Sequence, residues 1–296
     1  MRGDPKHRTR FLLSFLILGC HVQVAGASDD VRQLLLSTLG AMAAPDRSGA
    51  PALRYRIHDA AEGAGFVLGR DGCPDREADD LDDLLFQFEK DVVLELQRRR
   101  SDLLFLHSAV LEWRGKAVLL AADSGSGKST TAWGLLHHGF RYLSDELAPI
   151  DPYAMVVWPY PHALCLKERP AAPYPLPRET LDLGRTLHVP PSALPSPAPI
   201  ADPVPLGALF FVRHRPELES PKLRRMDPAE AGVRLYVVAL NALAHPNRGL
   251  DAALRIASGI PCFEVWTTGL PASCVTIGAA AAEALGEPGE SPRSRP

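Results

Sequence analysis

The first hundred residues carry strand-like and helix-like patterns of apolar positions in turn. Phe11–Val24 is an apolar run that ends in the alternating segment His21–Val24, and it predicts one long or two short strands. Leu53–Asp59 predicts a further strand. Leu81–Arg99 instead has apolar residues at helical spacing and a basic end, and the acidic start of residues 29–39 favours another helix. We therefore predict a small N-terminal α/β domain at residues 1–100.

Residues 101–285 predict a second domain of strands and helices. Leu103–Leu111 and Ala117–Ala122 predict strands joined by a tight turn, followed by a helix at Lys128–His138 and a strand at Phe140–Leu143. Later in the chain we predict strands at Ala208–Val212 and Cys262–Trp266, and helices at Asp227–Leu243, Leu250–Ala257 and Ala272–Leu285.

Prolines concentrate in one stretch of this second domain. Eleven of the 28 prolines lie between Pro170 and Pro205. Because proline has no backbone donor, we predict a loop at residues 169–205, which serves either as a lid over a site or as an extended surface connection. The last residues, 286–296, have the composition of a disordered tail.

The composition is that of an ordinary globular protein. Of the 296 residues, 46% are hydrophobic and 23% charged, and the net charge of -3 gives no electrostatic argument for nucleic acid or an anionic membrane as partner. The five cysteines are scattered, without CxxC or zinc-type spacing. These features predict a cytoplasmic protein with reduced thiols and no nucleic-acid or membrane partner.

The N-terminus also has features of a secretory signal. MRGDPKHRTRFLLSFLILGCHVQVAGA has a basic start, an apolar run and a small-residue end. The apolar run continues, however, into the alternating segment His21–Val24, which favours a strand. The strand is the preferred interpretation, and the signal peptide is the alternative.

A phosphate-binding loop is the clearest motif in the chain. ADSGSGKS, at Ala122–Ser129, fits the P-loop pattern with alanine in place of the first glycine, and it lies between a predicted strand and a predicted helix. Its glycines let backbone N–H groups approach phosphate oxygens, its lysine supplies positive charge, and a hydroxyl after the lysine can bind Mg²⁺. The residues predicted to bind the nucleotide are Ser124, Gly125, Ser126, Gly127, Lys128, Ser129 and Thr130.

An acidic pair, Asp145 and Glu146, follows soon after the loop. It comes at the end of the next predicted strand, so we expect the two strand ends to lie side by side over one reacting phosphoryl group. Phosphoryl transfer needs carboxylates to hold magnesium and to accept a proton from the attacking hydroxyl. A GTPase would need an NKxD element, which the chain lacks, and an ABC-type ATPase would need its signature sequence.

A family resemblance is carried by His107–Ile150 and the leucine before it, LHSAVLEWRGKAVLLAADSGSGKSTTAWGLLHHGFRYLSDELAPI. This segment resembles the catalytic core of HPr kinase/phosphorylase, and it is closer to the HPr kinase-related proteins, whose cores combine LHxA, SGSGKST, HxGF and LSDEL. The likeness continues more loosely to about residue 275. It implies the P-loop fold shared with phosphoenolpyruvate carboxykinase, ATP and Mg²⁺ as cofactors, and transfer of a phosphoryl group to a serine hydroxyl.

The resemblance also implies roles for individual residues. Asp145 matches the general base, and His107 matches a histidine near the reacting phosphate. Glu146 takes the place of a second aspartate that assists magnesium, which Ser129 would also bind. Thr130 stands where HPr kinase has a glutamate, which changes the metal shell.

The acceptor is less well specified. The chain has no match to the C-terminal signature that accompanies HPr recognition, which argues against HPr itself. Some related kinases modify ribosomally made peptide precursors, so a peptide serine is a second candidate. HPr kinases are hexamers, which makes a homo-oligomer an expectation of the resemblance alone.

The favoured function is an ATP-dependent kinase for a serine or threonine hydroxyl of a protein or peptide, with Asp145, His107 and Lys128 as catalytic residues. The alternatives are an ATP-binding switch or assembly factor with vestigial transfer, and a small-molecule phosphotransferase. Three further side chains, Lys167, Arg185 and His188, are weaker candidates for phosphate contacts.

Overall fold

The computed structural model describes residues 9–45, 49–60, 65–123, 125–195 and 201–286. The chain is a mixed α/β protein with several sheets and helices. No helix in these ranges is long and apolar enough to cross a membrane. The predicted disordered tail, beyond Gly286, lies outside the described residues.

Strands and helices follow one another in this order along the chain. The strands are β1 (Phe11–Ile17), β2 (Cys20–Gly26), β3 (Leu53–Asp59), β4 (Phe66–Arg70), β5 (Arg76–Ala78), β6 (Leu104–Leu106), β7 (Ser108–Trp113), β8 (Lys116–Ala121), β9 (Arg141–Ser144), β10 (Ala148–Asp151), β11 (Val156–Val157), β12 (Leu164–Leu166), β13 (Leu181–Asp182), β14 (Leu187–Val189), β15 (Val204–His214), β16 (Lys222–Arg225) and β17 (Cys262–Thr267). The helices are α1 (Asp29–Leu39), α2 (Leu81–Arg99), α3 (Lys128–Leu136), α4 (Pro228–Val237), α5 (Leu250–Gly259) and α6 (Leu270–Leu285).

The described residues form two compact units. The first contains the described part of Met1–Arg100 together with Pro161–Glu168 and Arg178–Ala193. The second contains Ser101–Tyr160, Arg169–Pro177 and the described part of Leu194–Pro296.

The first unit contains a sheet in the order β1-β2-β3-β4-β5 and a small sheet in the order β12-β14-β13. The alternating segment at its start is a β1–β2 hairpin, whose turn at Leu18 and Gly19 has positive φ angles. Ser28 and Asp80 cap α1 and α2 by accepting hydrogen bonds from backbone N–H groups of the first turn. Helix α2 begins and ends at the residues predicted from its apolar spacing.

Two segments that the sequence places in the later domain belong to the first unit. Pro161–Glu168 and Arg178–Ala193 carry β12, β13 and β14, and the N–H of Ala163 donates to the carbonyl of Thr38 at 2.8 Å. Part of the expected loop at 169–205 is therefore strand. The many prolines hid β13 and β14, because these strands pair over only two or three residues.

The second unit is built on a larger sheet. Its central order is β9-β7-β8-β15-β17-β16, and β6, β10 and β11 extend it from the first half of β15. Strand β8 is apolar and buried at every position after Lys116, as expected for a strand covered on both faces. Residues of β8 and β15 pack with α4 and α5 on one face, through Leu119, Phe211 and Leu235 among others.

Helices α3 and α6 pack closely against each other in this unit. A Cβ added at Gly134 of α3 would lie 2.6 Å from Sγ of Cys274 and 2.9 Å from Cδ1 of Leu270. Glycine is therefore required for this approach between the two helices. The packing fixes the direction in which the start of α3 points.

Two element predictions for this unit are wrong, and one strand was missed. The expected strand at Leu103–Leu111 is broken at His107 into β6 and β7, which lie in different parts of the sheet. Strand β16 carries an exposed, largely basic pattern and was not predicted. Helix α4 ends at Val237 rather than at the predicted Leu243. The backbone after the helix bonds instead to the residue between β6 and β7, because His107 N–H donates to the Val238 carbonyl at 2.8 Å.

Candidate functional site

The ends of several strands meet at one edge of the large sheet. Strand β7 is antiparallel to both β8 and β9, so β8 and β9 run in the same direction, and β15 and β17 are parallel to β8. Ser108 at the start of β7 lies opposite Ala121 at the end of β8. The carboxyl ends of these parallel strands, where ligands bind in open α/β sheets, therefore share an edge with the start of β7.

The strand carrying the glycine-rich loop and the strand carrying the acidic pair are not neighbours. The sequence predicted that β8 and β9 would lie side by side, but β7 lies between them. Strand β7, which forms the hairpin with β8, lies next to β8 in the sheet. His107 directly precedes β7 and therefore comes between the ends of β8 and β9. This insertion makes His107 the residue that connects the loop lysine to the acidic turn.

The loop after β8 has the backbone of an anion-binding turn. Gly125 and Gly127 have φ angles of 82° and 83°, in the left-handed region that favours glycine. Gly127 is the N-cap of α3 and provides no side-chain cap, so the first N–H groups of the helix are directed at the space above the loop. Ser126 N–H donates to the Asp123 carbonyl at 3.1 Å, which closes the turn. The predicted contact Ser124 lies outside the described residues.

Ser129 and Thr130 lie in the first turn of α3, and both are partly exposed. Their hydroxyls follow the loop lysine directly. A hydroxyl in this position can contact a bound Mg²⁺ or a phosphate oxygen.

Lys128 turns back from α3 to contact His107. Its Nζ lies 2.8 Å from Nε2 of the histidine, and the lysine side chain is almost fully buried. An ammonium group has only donors, so Nε2 accepts this hydrogen bond. The histidine also bonds to the backbone of Glu146, which fits a neutral ring with its proton on Nδ1.

Burial lowers the pKa of both members of this pair. The pKa of His107 lies below its ordinary value because of burial and the Lys128 charge, opposed by Asp145 and by the hydrogen bond to the Glu146 backbone. The pKa of Lys128 is lowered by burial and raised in part by the charges of Asp145 and Glu146. The site therefore holds a neutral imidazole against a desolvated ammonium group.

Asp145 is completely buried at the end of β9. Tyr142 Oη donates to Asp145 Oδ1 at 2.9 Å, and Ser144 Oγ accepts from Leu147 N–H at 3.1 Å, which closes the acidic turn. The neighbouring Glu146 is exposed. One carboxylate is therefore held in a fixed orientation away from bulk water, and the other is open to it.

The structure adds residues that the sequence analysis missed. Arg213 and His214 end β15 at the same edge, and His214 Cβ lies 4.0 Å from the position of a Cβ built on Gly127. His214 Nδ1 lies 3.5 Å from Thr267 Oγ1, at the end of β17. The polar run Arg213–Arg215 at the end of an apolar strand was the available signal.

The three weaker candidates from the sequence, Lys167, Arg185 and His188, lie in the first unit. Arg185 Nε is 3.3 Å from an Asp82 carboxylate oxygen. His188 contacts Thr186 Oγ1 through Nε2 at 2.8 Å. Each of the latter two thus has a structural partner within its own unit.

The arrangement at the sheet edge suits a phosphate ester bound with a divalent cation. Within the described ranges, no group of three or more His, Cys, Asp and Glu side chains could hold a metal ion by itself. Magnesium brought by a nucleotide needs only one or two protein ligands besides the phosphates, and Ser129 and Glu146 are of the right type. No family model and no curated protein matches this chain.

Proposed function

We propose that this chain is an ATP-dependent kinase that transfers the γ-phosphoryl group of Mg-ATP to a serine or threonine hydroxyl of a protein or peptide. The observation that carries the proposal is the buried Asp145 carboxylate, which faces the Lys128–His107 pair at the end of the glycine-rich loop. The architecture we propose is a P-loop domain of the HPr kinase and phosphoenolpyruvate carboxykinase type.

The loop and the start of α3 would hold the nucleotide. The left-handed Gly125 and Gly127 leave no side chain between the backbone and the phosphates, and the uncapped helix start favours negative charge. Lys128 would reach the β- and γ-phosphates. Bound Mg²⁺ supplies further neutralisation of phosphate charge, with Ser129 and Glu146 as its protein ligands.

Asp145 would act as the general base. A buried carboxylate beside the phosphates can accept the proton of an attacking hydroxyl while water is kept away. The Tyr142 hydroxyl fixes the plane of this carboxylate by its bond to Oδ1. Positioning and charge, rather than covalent chemistry, are what phosphoryl transfer requires from a protein.

His107 would position the lysine. The neutral ring accepts from Lys128 Nζ and bonds to the Glu146 backbone, so it connects the loop to the acidic turn. When phosphate binds, the ammonium can exchange its bond to Nε2 for a bond to a phosphate oxygen. The histidine keeps its Nδ1 proton in the bond to the Glu146 backbone, so it holds the acidic turn without donating to the phosphate.

Purified protein incubated with γ-labelled ATP, Mg²⁺ and the peptides and proteins encoded beside its gene tests the proposal. Label recovered on a serine or threonine of one acceptor supports a kinase. Tight ATP binding without label on any acceptor would favour the alternative of an ATP-binding switch. Label found only on low-molecular-weight hydroxyl compounds would favour a small-molecule phosphotransferase.

A further inference from the structure

A small cavity opens beside the glycine-rich loop on the face covered by α4. It has a volume of about 120 Å³ and is lined by the end of β8, the loop start, the end of β15 and the end of α4. The lining residues used below are Asp123, Arg213, Arg234, Val237 and Val238.

The cavity is linked to the loop lysine through His107. Lys128, the residue that reaches the β- and γ-phosphates in a P-loop, contacts His107. His107 N–H in turn donates to the carbonyl of Val238, which lines the cavity. Two contacts thus link the cavity to the lysine that would reach the reacting phosphoryl group.

A buried glutamate holds the two arginines of the cavity. Glu264 is 3% exposed and forms ion pairs with Arg213 at 3.3 Å, with Arg234 at 2.8 Å and with Arg224 at 2.6 Å. Burial raises the pKa of Glu264, but hydrogen bonds from Arg234 and Arg224 outweigh this and the pKa lies below its ordinary value. With Glu230, which bonds to Arg224 and Arg234, the group has three arginines against two glutamates.

Arg213 has donors to spare for a ligand. Its ion pair to Glu264 uses Nε, and among the residues that the structure describes no hydrogen bond involves its two terminal nitrogens. These nitrogens form the fork that binds a carboxylate or phosphate through two parallel bonds. Asp123 contributes an exposed carboxylate to the lining, and the Arg213 side chain is itself 43% exposed, so water screens both charges.

The end of α4 adds exposed apolar side chains beside the cavity. Val237 is 74% exposed at the end of α4, and Val233, one turn earlier on the same helix face, is 56% exposed. The guanidinium of Arg234 lies over the Phe211 ring at 5.8 Å, which adds an aromatic surface to the interior. An occupant with one anionic group and an apolar neighbour fits this combination.

We propose that the cavity is an acceptor subsite that binds an aspartate or glutamate side chain close to the acceptor hydroxyl of a peptide or protein. Arg213 is its principal ligand, Arg234 contributes charge, and the α4 valines contact an apolar residue of the same segment. This inference rests on the proposed kinase function for the identity of its ligand, and it names the sequence feature that the acceptor carries.

A randomised peptide library with a fixed central serine tests this subsite in two ways. The library is phosphorylated with γ-labelled ATP by the full chain, and separately it is passed over the immobilised full chain with Mg²⁺ and a non-hydrolysable ATP analogue. We expect Asp and Glu to be enriched about tenfold over Asn and Gln at one position near the serine in both selections. Arg213→Gln should abolish the enrichment, and Arg213→Lys should reduce it because the fork is lost.

Arg224→Gln is the matched control, because Arg224 binds the same glutamate from outside the cavity and should keep the acidic preference. Loss of the preference in both variants, or its retention in Arg213→Gln, contradicts the subsite. Phosphorylation without acidic enrichment in wild type overturns the subsite and leaves the kinase intact. Binding enrichment that needs Arg213, without any phosphorylation, supports the subsite and overturns the kinase.

Discussion

Nζ of Lys128 lies 2.8 Å from Nε2 of His107, and this contact joins the glycine-rich loop to the start of β7. Both side chains have lowered pKa values, with burial as the first cause. A histidine that accepts from an ammonium group cannot be protonated on the same nitrogen without losing the contact. The pair is therefore stable only while the ring is neutral.

Lys128→Met should raise the pKa of His107 towards its ordinary value of 6.5, because the lysine charge is one of its two lowering causes. An NMR titration of labelled histidine rings measures the shift. Arg255→Met, which removes an arginine distant in sequence on α5, is the control and should leave the titration unchanged. A fall in the His107 pKa in Lys128→Met would contradict the charge assignment.

The same pair predicts the direction of the pH dependence of stability. A histidine with a lowered pKa in the folded state binds fewer protons than in the unfolded state, so its contribution is fully present above pH 6.5 and is lost as the pH falls through the folded pKa. Urea unfolding across this range should show a falling free energy of unfolding towards acid. His107→Asn should flatten that part of the profile, and an unchanged slope would contradict the assignment.

Tyr142→Phe should lower kcat about tenfold by removing the hydrogen bond that orients Asp145, with little change in the dissociation constant for ATP. Steady-state kinetics and calorimetry separate the two effects. Tyr153→Phe is the control, because that tyrosine is 73% exposed in the same unit. Equal kinetics for the two variants would show that the bond to Asp145 has no part in transfer.

Glu264→Gln should lower the free energy of unfolding by about 3 kcal/mol, because three arginines lose the buried carboxylate between them. Glu230→Gln should cost much less, since that side chain is more exposed. The pKa of Glu264 is lowered in the folded state. Its contribution to the free energy of unfolding is therefore fully present above pH 4.5 and is lost as the pH falls through the folded pKa. Chemical denaturation at neutral and acidic pH checks both the ranking and its sign.

Gly134→Ala should lower the free energy of unfolding by about 1–3 kcal/mol, because its Cβ would overlap Cys274 and Leu270 of α6. Gly278→Ala is the matched variant in the partner helix, where an added Cβ meets nothing within 4 Å. That variant should gain about 0.5–1 kcal/mol from helix propensity. Equal effects of the two substitutions would contradict the close approach of α3 and α6.

Local features of the sequence predicted several elements of the fold and the places of the loop and of Asp145 in it. The helix at Leu81–Arg99 and the strand at Leu53–Asp59 have the predicted bounds, since their apolar periodicity decides them. The glycine-rich loop precedes α3 as its motif requires, because left-handed glycines and an uncapped helix start are local properties. Asp145 follows its strand as expected.

Non-local pairing accounts for what was missed. Nothing in the sequence near His107 shows that the chain leaves one part of the sheet there and enters another, because the choice depends on backbone bonds to residues after α4. The insertion of β7 between β8 and β9 is likewise decided by hairpin pairing rather than by apolar pattern. Arg213 and His214 approach the loop only because β15 pairs with β8 across about ninety residues of chain.

The proposed kinase function depends most on Asp145 as the base that accepts the proton. The direct test compares wild type with Asp145→Asn, in calorimetric titrations with Mg-ATP and in transfer of γ-label to the acceptor serine. Asparagine keeps the size of the side chain and can still bond to Tyr142. We predict ATP affinity within about threefold of wild type and transfer reduced by about 10²–10⁴-fold. Transfer at the wild-type rate in Asp145→Asn would contradict the account.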